Sequence, residues 1–282
     1  MSAANRRILP GFRLSLSFAL AYLTLLVMVP LAACFLKAST LTWGQFWAVV
    51  TTARVRDAYV VTFGTSIVAA GADLLLGLLV AWVMVRYEFP LKRFFDSLID
   101  LPFALPTAVA GLVYSTLYAE KGWFGRYLIP LGIEGVNTRF AIVLVLTFIG
   151  LPFVVRTVQP VLENLEAELE EAAACLGATR WQTFTRVIFP PLIPALITGF
   201  ALSVARGIGE YGSVIFVSGN KRFMAAFPHV KSTEIAPVLI VERLDAFEYA
   251  EATAIATVLL LTSFLLLGII NYLERRSQRH AD

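Results

Sequence analysis

Six long stretches of the chain carry almost no charge, and this pattern constrains the fold more than any other feature of the sequence. A helix that crosses the hydrocarbon core of a bilayer needs about 20 consecutive, mostly apolar residues. The stretches that approach this length cover residues 14–36, 58–85, 101–119, 140–155, 187–205 and 252–273. Their length and continuity predict membrane-spanning helices. The sequence therefore predicts an all-α, polytopic membrane protein with six transmembrane helices.

Composition excludes several other classes of protein. Hydrophobic residues make up 58% of the chain and charged residues 15%, whereas soluble domains have about 45–50% and about 25%. Two cysteines, two histidines and a net charge of +3 do not predict a disulfide framework, a multi-histidine metal centre or binding to nucleic acid. The sequence also lacks a phosphate-binding loop and any hydrolase motif. We expect one membrane domain, residues 1–282, with no catalytic residue, metal or cofactor of its own.

Both ends of the chain are predicted to face the cytoplasm. Arg6, Arg7 and Arg13 precede the first apolar run, and only Lys37 follows it closely. Cytoplasmic flanks of membrane helices are the ones that are rich in lysine and arginine. Six crossings return the C-terminus to the same side, where the arginines of residues 275–279 lie.

Residues 160–190, in a connection predicted to be cytoplasmic, are too polar to span a membrane but strongly patterned. Apolar residues recur at helical spacing, which predicts a helix that begins near Pro160. Gly177 is a natural end for that helix, and Thr179-x-x-Gln182 is typical of a capping box that starts a second one. Such a helix–turn–helix either rests on lipid headgroups or inserts into a groove of a partner protein, and the pattern alone leaves both open.

The same segment resembles the EAA loop of permeases in binding-protein-dependent ABC importers. The usual pattern is E-A-A, three residues, G, nine residues and I-x-L-P. In this sequence the corresponding residues are Glu171-Ala172-Ala173, Gly177 and Val187-Ile188-Phe189-Pro190. The sequence departs from the pattern at Val187 and Phe189, which are both apolar. The resemblance implies that a helix at 163–178 couples the permease to a separate ATPase, with coupling residues Glu171, Ala172, Ala173, Gly177 and Pro190.

Three further segments resemble the T-type permeases of sulfate/thiosulfate ABC importers. They are DLPFALPTAVAG at 100–111, PFVVRTVQPVL at 152–162 and GEYGSVIF at 209–216. The resemblance implies a type I importer (MetI-like) permease fold in a bacterial inner membrane. It also implies three partners: a W-type permease in a heterodimer, a periplasmic or extracellular sulfate/thiosulfate-binding protein, and a dimer of ABC ATPase subunits. ATP and Mg would be bound by those ATPase subunits.

Charged residues inside apolar runs are costly in a membrane, so they are candidates for a function. Arg206 and Glu210 are four residues apart and share one helix face. Either they neutralise each other for burial, or they line the route of the anion, with Arg206 attracting it. Ser213 would add a neutral hydrogen bond there, and Thr107 is a further candidate for the route. Asp73 is expected to hold neighbouring helices together.

These patterns, with the resemblance, predict a permease subunit that imports sulfate or thiosulfate by alternating access. Two alternatives remain open. A permease for another oxyanion, such as molybdate, would have the same architecture. An ion-gradient-driven carrier would need coupling groups inside the spans, and Asp73 is the sole candidate outside the Arg206–Glu210 pair. The predicted outer connection at 218–249 receives no role from the sequence.

Overall fold

The computed structural model describes residues 12–222 and 232–278, and within these ranges the regular elements are helices. The α-helices are α1 Phe12–Leu23, α2 Val29–Ala38, α3 Trp43–Val50, α4 Ala53–Arg86, α5 Lys92–Ile99, α6 Leu101–Ala104, α7 Thr107–Tyr118, α8 Gly125–Leu128, α9 Arg139–Glu163, α10 Ala167–Cys175, α11 Arg180–Thr183, α12 Phe189–Ile208, α13 Val214–Val217, α14 Ala236–Asp245 and α15 Tyr249–Gln278. π-Helical turns at Thr24–Met28 and Phe184–Ile188 join α1 to α2 and α11 to α12, and a 3-10 turn at Ile129–Leu131 follows α8. The predicted all-α class is confirmed.

Five helical segments are long and apolar enough to cross a membrane. They are Leu14–Ala38, Ala53–Arg86, Arg139–Glu163, Arg180–Ile208 and Tyr249–Tyr272. Each contains or overlaps one of the six predicted runs. Arg6, Arg7 and Arg279, on which the predicted orientation partly rests, lie outside the described residues, so the cytoplasmic placement of both termini stays a prediction.

The third predicted run, residues 101–119, does not form one continuous helix. It is divided into α6 and α7, and α7 is a shorter apolar helix of 12 residues. The break lies at Leu105, whose backbone is extended with ψ 135°. Proline forces this conformation on the residue before it, and Pro106 follows Leu105 directly. The described residues therefore contain five helices long enough to cross a membrane, and a broken apolar segment stands where the third of the six spans was predicted.

The centre of the bundle is formed by α4, α9 and α12, which pack against one another. Small residues allow the close approach of these helices. A Cβ atom on Gly77 of α4 would lie 2.7 Å from Val154 Cγ1 of α9, and one on Gly207 of α12 would lie 2.9 Å from Ser66 Oγ of α4. Close packing of this kind is what holds membrane helices together, because lipid provides no hydrophobic drive for their association.

Asp73 lies at the middle of this three-helix centre and is fully buried. Its Oδ2 atom accepts a hydrogen bond from Ser203 Oγ of α12, and Gly150 of α9 leaves room for both groups. A Cβ atom on Gly150 would overlap both Asp73 Oδ2 and Ser203 Oγ. Asp73 thus joins α4 to α12 across α9, as expected for a residue that holds helices together.

Gly150→Ala is expected to destabilise the protein by about 1–3 kcal/mol, because the added methyl group must displace the Asp73–Ser203 pair in a close-packed centre. Thermal unfolding of the purified protein in detergent would measure the change. Gly64→Ala in α4 is the matched control, since a Cβ atom there meets nothing within 4 Å. That control should be neutral or up to about 1 kcal/mol more stable, because alanine favours helix more than glycine does. Equal melting temperatures for both variants would contradict this account of the centre.

Candidate functional site: the coupling loop and the polar break

The segment that resembles the EAA loop forms a short helix that is later and shorter than predicted. α9 continues through Pro160 and ends at Glu163, and the next helix, α10, begins at Ala167 and ends at Cys175. The predicted helix start at Pro160 is therefore wrong. Pro160 removes one hydrogen bond from α9 but does not end it, and Asn164 N still donates to Pro160 O at 3.1 Å. The predicted coupling helix at 163–178 is thus reduced to α10.

The end of α10 and the start of α11 are fixed by local hydrogen bonds, as the sequence predicts. Gly177 has φ +80°, and the Ala178 and Gly177 N–H groups donate to Ala173 O (3.0 Å) and Ala174 O (2.9 Å). This is the Schellman pattern, in which a left-handed glycine ends a helix. Thr179 and Gln182 then form the predicted capping box. The coupling loop, residues 164–190, therefore has a defined bend between its two helical arms.

The outer face of this loop is exposed and apolar in part. No residue of α10 is buried, and the side chains of Leu176 and Trp181 are 89% and 71% exposed. Glu171 and Ala172 are exposed, Ala173 is half-buried, and Pro190 is exposed in the first turn of α12. In the part of the chain that the structure describes, Glu171 has no hydrogen bond or ion pair. A patch of this composition is typical of a surface that a partner protein covers.

The inner face of the loop is attached to the bundle. Glu170 pairs with Arg86 at the end of α4, and the Arg86 guanidinium lies over the Trp82 ring, 5.3 Å from its centroid. Phe184, in the π-helical turn, packs edge-on against Trp82 with centroids 5.6 Å apart. These contacts could not be predicted from the sequence, because Arg86 and Glu170 are 84 residues apart.

A second candidate site lies where α12 ends. Arg206 Nη1 is 2.5 Å from Glu210 Oε2, so the two side chains pair, although Glu210 lies two residues beyond the end of α12. The other oxygen of Glu210, Oε1, accepts hydrogen bonds from Ser213 N at 2.9 Å and Ser213 Oγ at 2.8 Å. Glu210 is 2% exposed, whereas the side chain of Arg206 is 33% exposed. Both oxygens of the carboxylate are therefore engaged, and the Arg206 side chain is partly exposed.

Residues 209–213, which we call the polar break, separate α12 from α13 and bring Thr107 into the same region. A Cβ atom on Gly212 would overlap Thr107 Oγ1, and one on Gly111 would overlap the backbone of Ser213. Broken helices are tolerated in membranes where they are enclosed by protein or line a wet cavity. The structure thus places Arg206, Glu210, Ser213 and Thr107 around one junction of α7, α12 and α13.

The described part of the predicted outer connection, residues 218–222 and 232–249, includes a helix. It contains α14, and Glu234 just before this helix is buried and bonded to Arg54 of α4, at 2.6 and 2.8 Å. Glu242 of α14 also pairs with Arg54, at 2.5 Å. Burial acts to raise the pKa of Glu242, but the bond to Arg54 and the positive charges around it hold that pKa below its usual value. His229, which the sequence analysis does not assign to a site, lies outside the described residues.

Comparison with known proteins identifies the family of the chain. The family model described as binding-protein-dependent transport system inner membrane component matches residues 73–279. The sulfate transport system permease protein CysT of Synechococcus elongatus is 49% identical over 263 residues, which cover 93% of this chain and 92% of that protein. CysT of Escherichia coli is 45% identical over 278 residues, which cover 99% and 98%. The predicted resemblance to sulfate importer permeases is confirmed.

Solved structures agree on the fold. A bacterial ABC transporter involved in the import of the acidic polysaccharide alginate superposes with a TM-score of 0.71 at 14% identity, covering 94% of this chain and 96% of that one. The inward-facing MetNI methionine ABC transporter gives 0.56 at 18% identity, covering 86% and 100%. At such identities the likeness concerns the fold alone, and it confirms the predicted MetI-like architecture. The chain belongs to the family of binding-protein-dependent transport system inner membrane components.

Proposed function

We propose that this chain is the membrane-spanning permease subunit of an ATP-driven importer that moves either sulfate or thiosulfate into the cytoplasm. The observation that carries the sulfate assignment is the 45–49% identity to sulfate permeases over nearly the whole chain. The permease function predicted from the sequence agrees with the family match and with both relatives.

Energy for transport comes from a separate ATPase. The sequence has no phosphate-binding loop of its own, and the coupling loop offers an exposed face with Leu176, Trp181 and Glu171, which has no partner among the described residues. An ATPase subunit that covers this face would bind ATP and Mg and deliver its movement to α10. Such ATPases act as dimers, and one chain supplies one coupling helix. A second, W-type permease is therefore needed for the second ATPase subunit.

The direction of transport requires the coupling loop to lie in the cytoplasm, together with both termini. The opposite end of the bundle, with α3, α8 and α14, then faces a periplasmic or extracellular binding protein that delivers the anion. Closure of the ATPase dimer would move the coupling loops and switch the bundle between inward-open and outward-open states. Tight recognition of sulfate is best left to the binding protein, because full desolvation of a dianion in the bundle would be prohibitive.

The polar break is our candidate for the route of the anion. Arg206 is paired with Glu210 through one nitrogen and remains 33% exposed, so part of its guanidinium is free to meet a passing anion. Glu210 reduces the local positive charge, which would keep sulfate from binding too tightly to leave. Ser213 and Thr107 would supply neutral hydrogen bonds at the same junction.

Competition for uptake tests the substrate. The complete complex, reconstituted in liposomes with its binding protein, is expected to take up labelled sulfate, and unlabelled thiosulfate should reduce this uptake by at least tenfold at high excess. Unlabelled molybdate should leave it within about twofold. If the complex takes up labelled molybdate but no labelled sulfate, the sulfate assignment is wrong and the alternative oxyanion permease is favoured.

A further inference from the structure

Both arms of the coupling loop contact the last turns of α4. On the first arm, Glu170 of α10 is paired with Arg86, and the two side chains are 29% and 24% exposed. On the second arm, Phe184 packs against Trp82 and also stacks on Trp181, with centroids 5.8 Å apart. Because Arg86 lies over the Trp82 ring, the two arms meet α4 at one place.

α4 is well suited to receive a movement from this loop. Near its end, Ala81 is fully buried in a cluster with Val154 and Val155 of α9 and Leu192 of α12. Further along, Asp73 is bonded to Ser203 of α12. The helix therefore extends from the coupling loop into the centre of the bundle, and a shift of its end cannot be absorbed locally, since the centre is close-packed.

Glu170 and Glu171 are adjacent but face different surroundings. Consecutive residues of an α-helix point about 100° apart. Glu170 is half-buried and faces Arg86, whereas Glu171 is exposed and unpaired in the described ranges. One carboxylate is thus directed toward the bundle and the other toward the surface that an ATPase would cover.

We propose that Arg86 is a positioning residue for energy coupling: its ion pair with Glu170 passes the movement of α10 to α4. Without this pair, α10 would still bind the ATPase through its outer face, but part of its movement would be lost before it reached the bundle. The inference rests on the proposed function of the chain as an ATPase-driven permease, and it adds the specific contact through which the drive is transmitted.

The test uses the complete reconstituted complex and measures sulfate uptake, ATP hydrolysis and co-purification of the ATPase for each variant. Arg86→Glu and Glu170→Arg should each retain the ATPase and its hydrolysis but lower the sulfate taken up per ATP by about three- to tenfold. This loss corresponds to about 0.7–1.4 kcal/mol, within the range of about 0.5–2 kcal/mol by which single residues change the coupling between sites. The double variant Arg86→Glu with Glu170→Arg restores an opposite-charge pair. It should recover uptake per ATP to within about twofold of the wild type.

Arg93→Glu is the matched control, because it reverses an exposed arginine in the nearby helix α5 that has no ion pair among the described residues. It should leave uptake per ATP unchanged. If the charge-reversal variants fail to insert into the membrane, the neutral variants Arg86→Gln and Glu170→Gln replace them in the test. Each neutral variant should lower the sulfate taken up per ATP by about two- to fourfold.

Three results would overturn the inference. They are wild-type uptake per ATP in the single variants, no recovery in the double variant, and loss of the ATPase itself from the Glu170 variants, which would place Glu170 in the docking face. A wild-type complex that does not take up sulfate would instead refute the proposed function, so the two failures are distinguishable.

Discussion

Replacing Glu171 with lysine is expected to abolish sulfate uptake while the chain still inserts and folds. Glu171 is exposed on α10, has no partner in the described part of the chain, and lies on the face that we assign to the ATPase. Reversing a charge that is buried on docking costs about 2–5 kcal/mol, so the ATPase should bind at least about thirtyfold more weakly. Uptake by cells that express the variant, together with co-purification of the ATPase, measures both effects.

Glu88→Lys is the control for this experiment. Glu88 follows α4 on the same side of the bundle, is 90% exposed and pairs only with Lys92 among the described residues. The Glu88→Lys variant should retain most of the sulfate uptake, and as much ATPase should co-purify with it as with the wild type. Normal uptake by Glu171→Lys would mean that α10 does not dock through this face.

Glu210→Ala is expected to have the largest effect on stability, about 3–5 kcal/mol. The substitution leaves Arg206 without its partner near the end of α12 and also removes the acceptor of Ser213 N and Oγ. The larger part of the loss comes from Ser213, whose two buried donors would each be left unsatisfied at about 1–3 kcal/mol; the partly exposed charge of Arg206 adds less. Thermal unfolding in detergent and the yield of membrane-inserted protein would both fall.

Removing both charges separates the structural role of the pair from a role in transport. Arg206→Leu with Glu210→Gln should recover most of the stability, because no charge is left unpaired and the glutamine amide oxygen can still accept the hydrogen bonds from Ser213 N and Oγ. Uptake by this double variant should stay at least tenfold below that of the wild type if Arg206 meets the anion. A stable double variant with normal uptake would show that the pair serves only to bury its own charges.

The sequence was sufficient to locate five of the six predicted spans, the end of α10 and the start of α11. Apolar runs predict spans because the bilayer imposes a length, and the turn at Gly177 and the cap at Thr179 depend on residues next to them in the chain. The same local reasoning was wrong at Pro160, where packing in the bundle maintains α9 through the proline. It also missed the break at Leu105, although Pro106 was a usable signal.

The contacts that tie the helices together could not be predicted from the sequence. Asp73 meets Ser203 across 130 residues, and Arg54 meets Glu234 across 180. A charged residue in an apolar run indicates that a partner is needed, but only the packing of α4 against its neighbours decides which one. The Arg206–Glu210 pair was predictable from the spacing of four residues, although Glu210 lies just beyond the end of α12.

Accumulation of labelled sulfate in liposomes tests the central claim most directly. Liposomes that hold the complete complex, with ATP and Mg enclosed and the binding protein outside, are expected to concentrate sulfate above its external level only while ATP is hydrolysed. Liposomes that hold the two permease chains without the ATPase should accumulate none, whatever ion gradient is applied. Concentration of sulfate by the permease alone on a proton or sodium gradient would contradict the account.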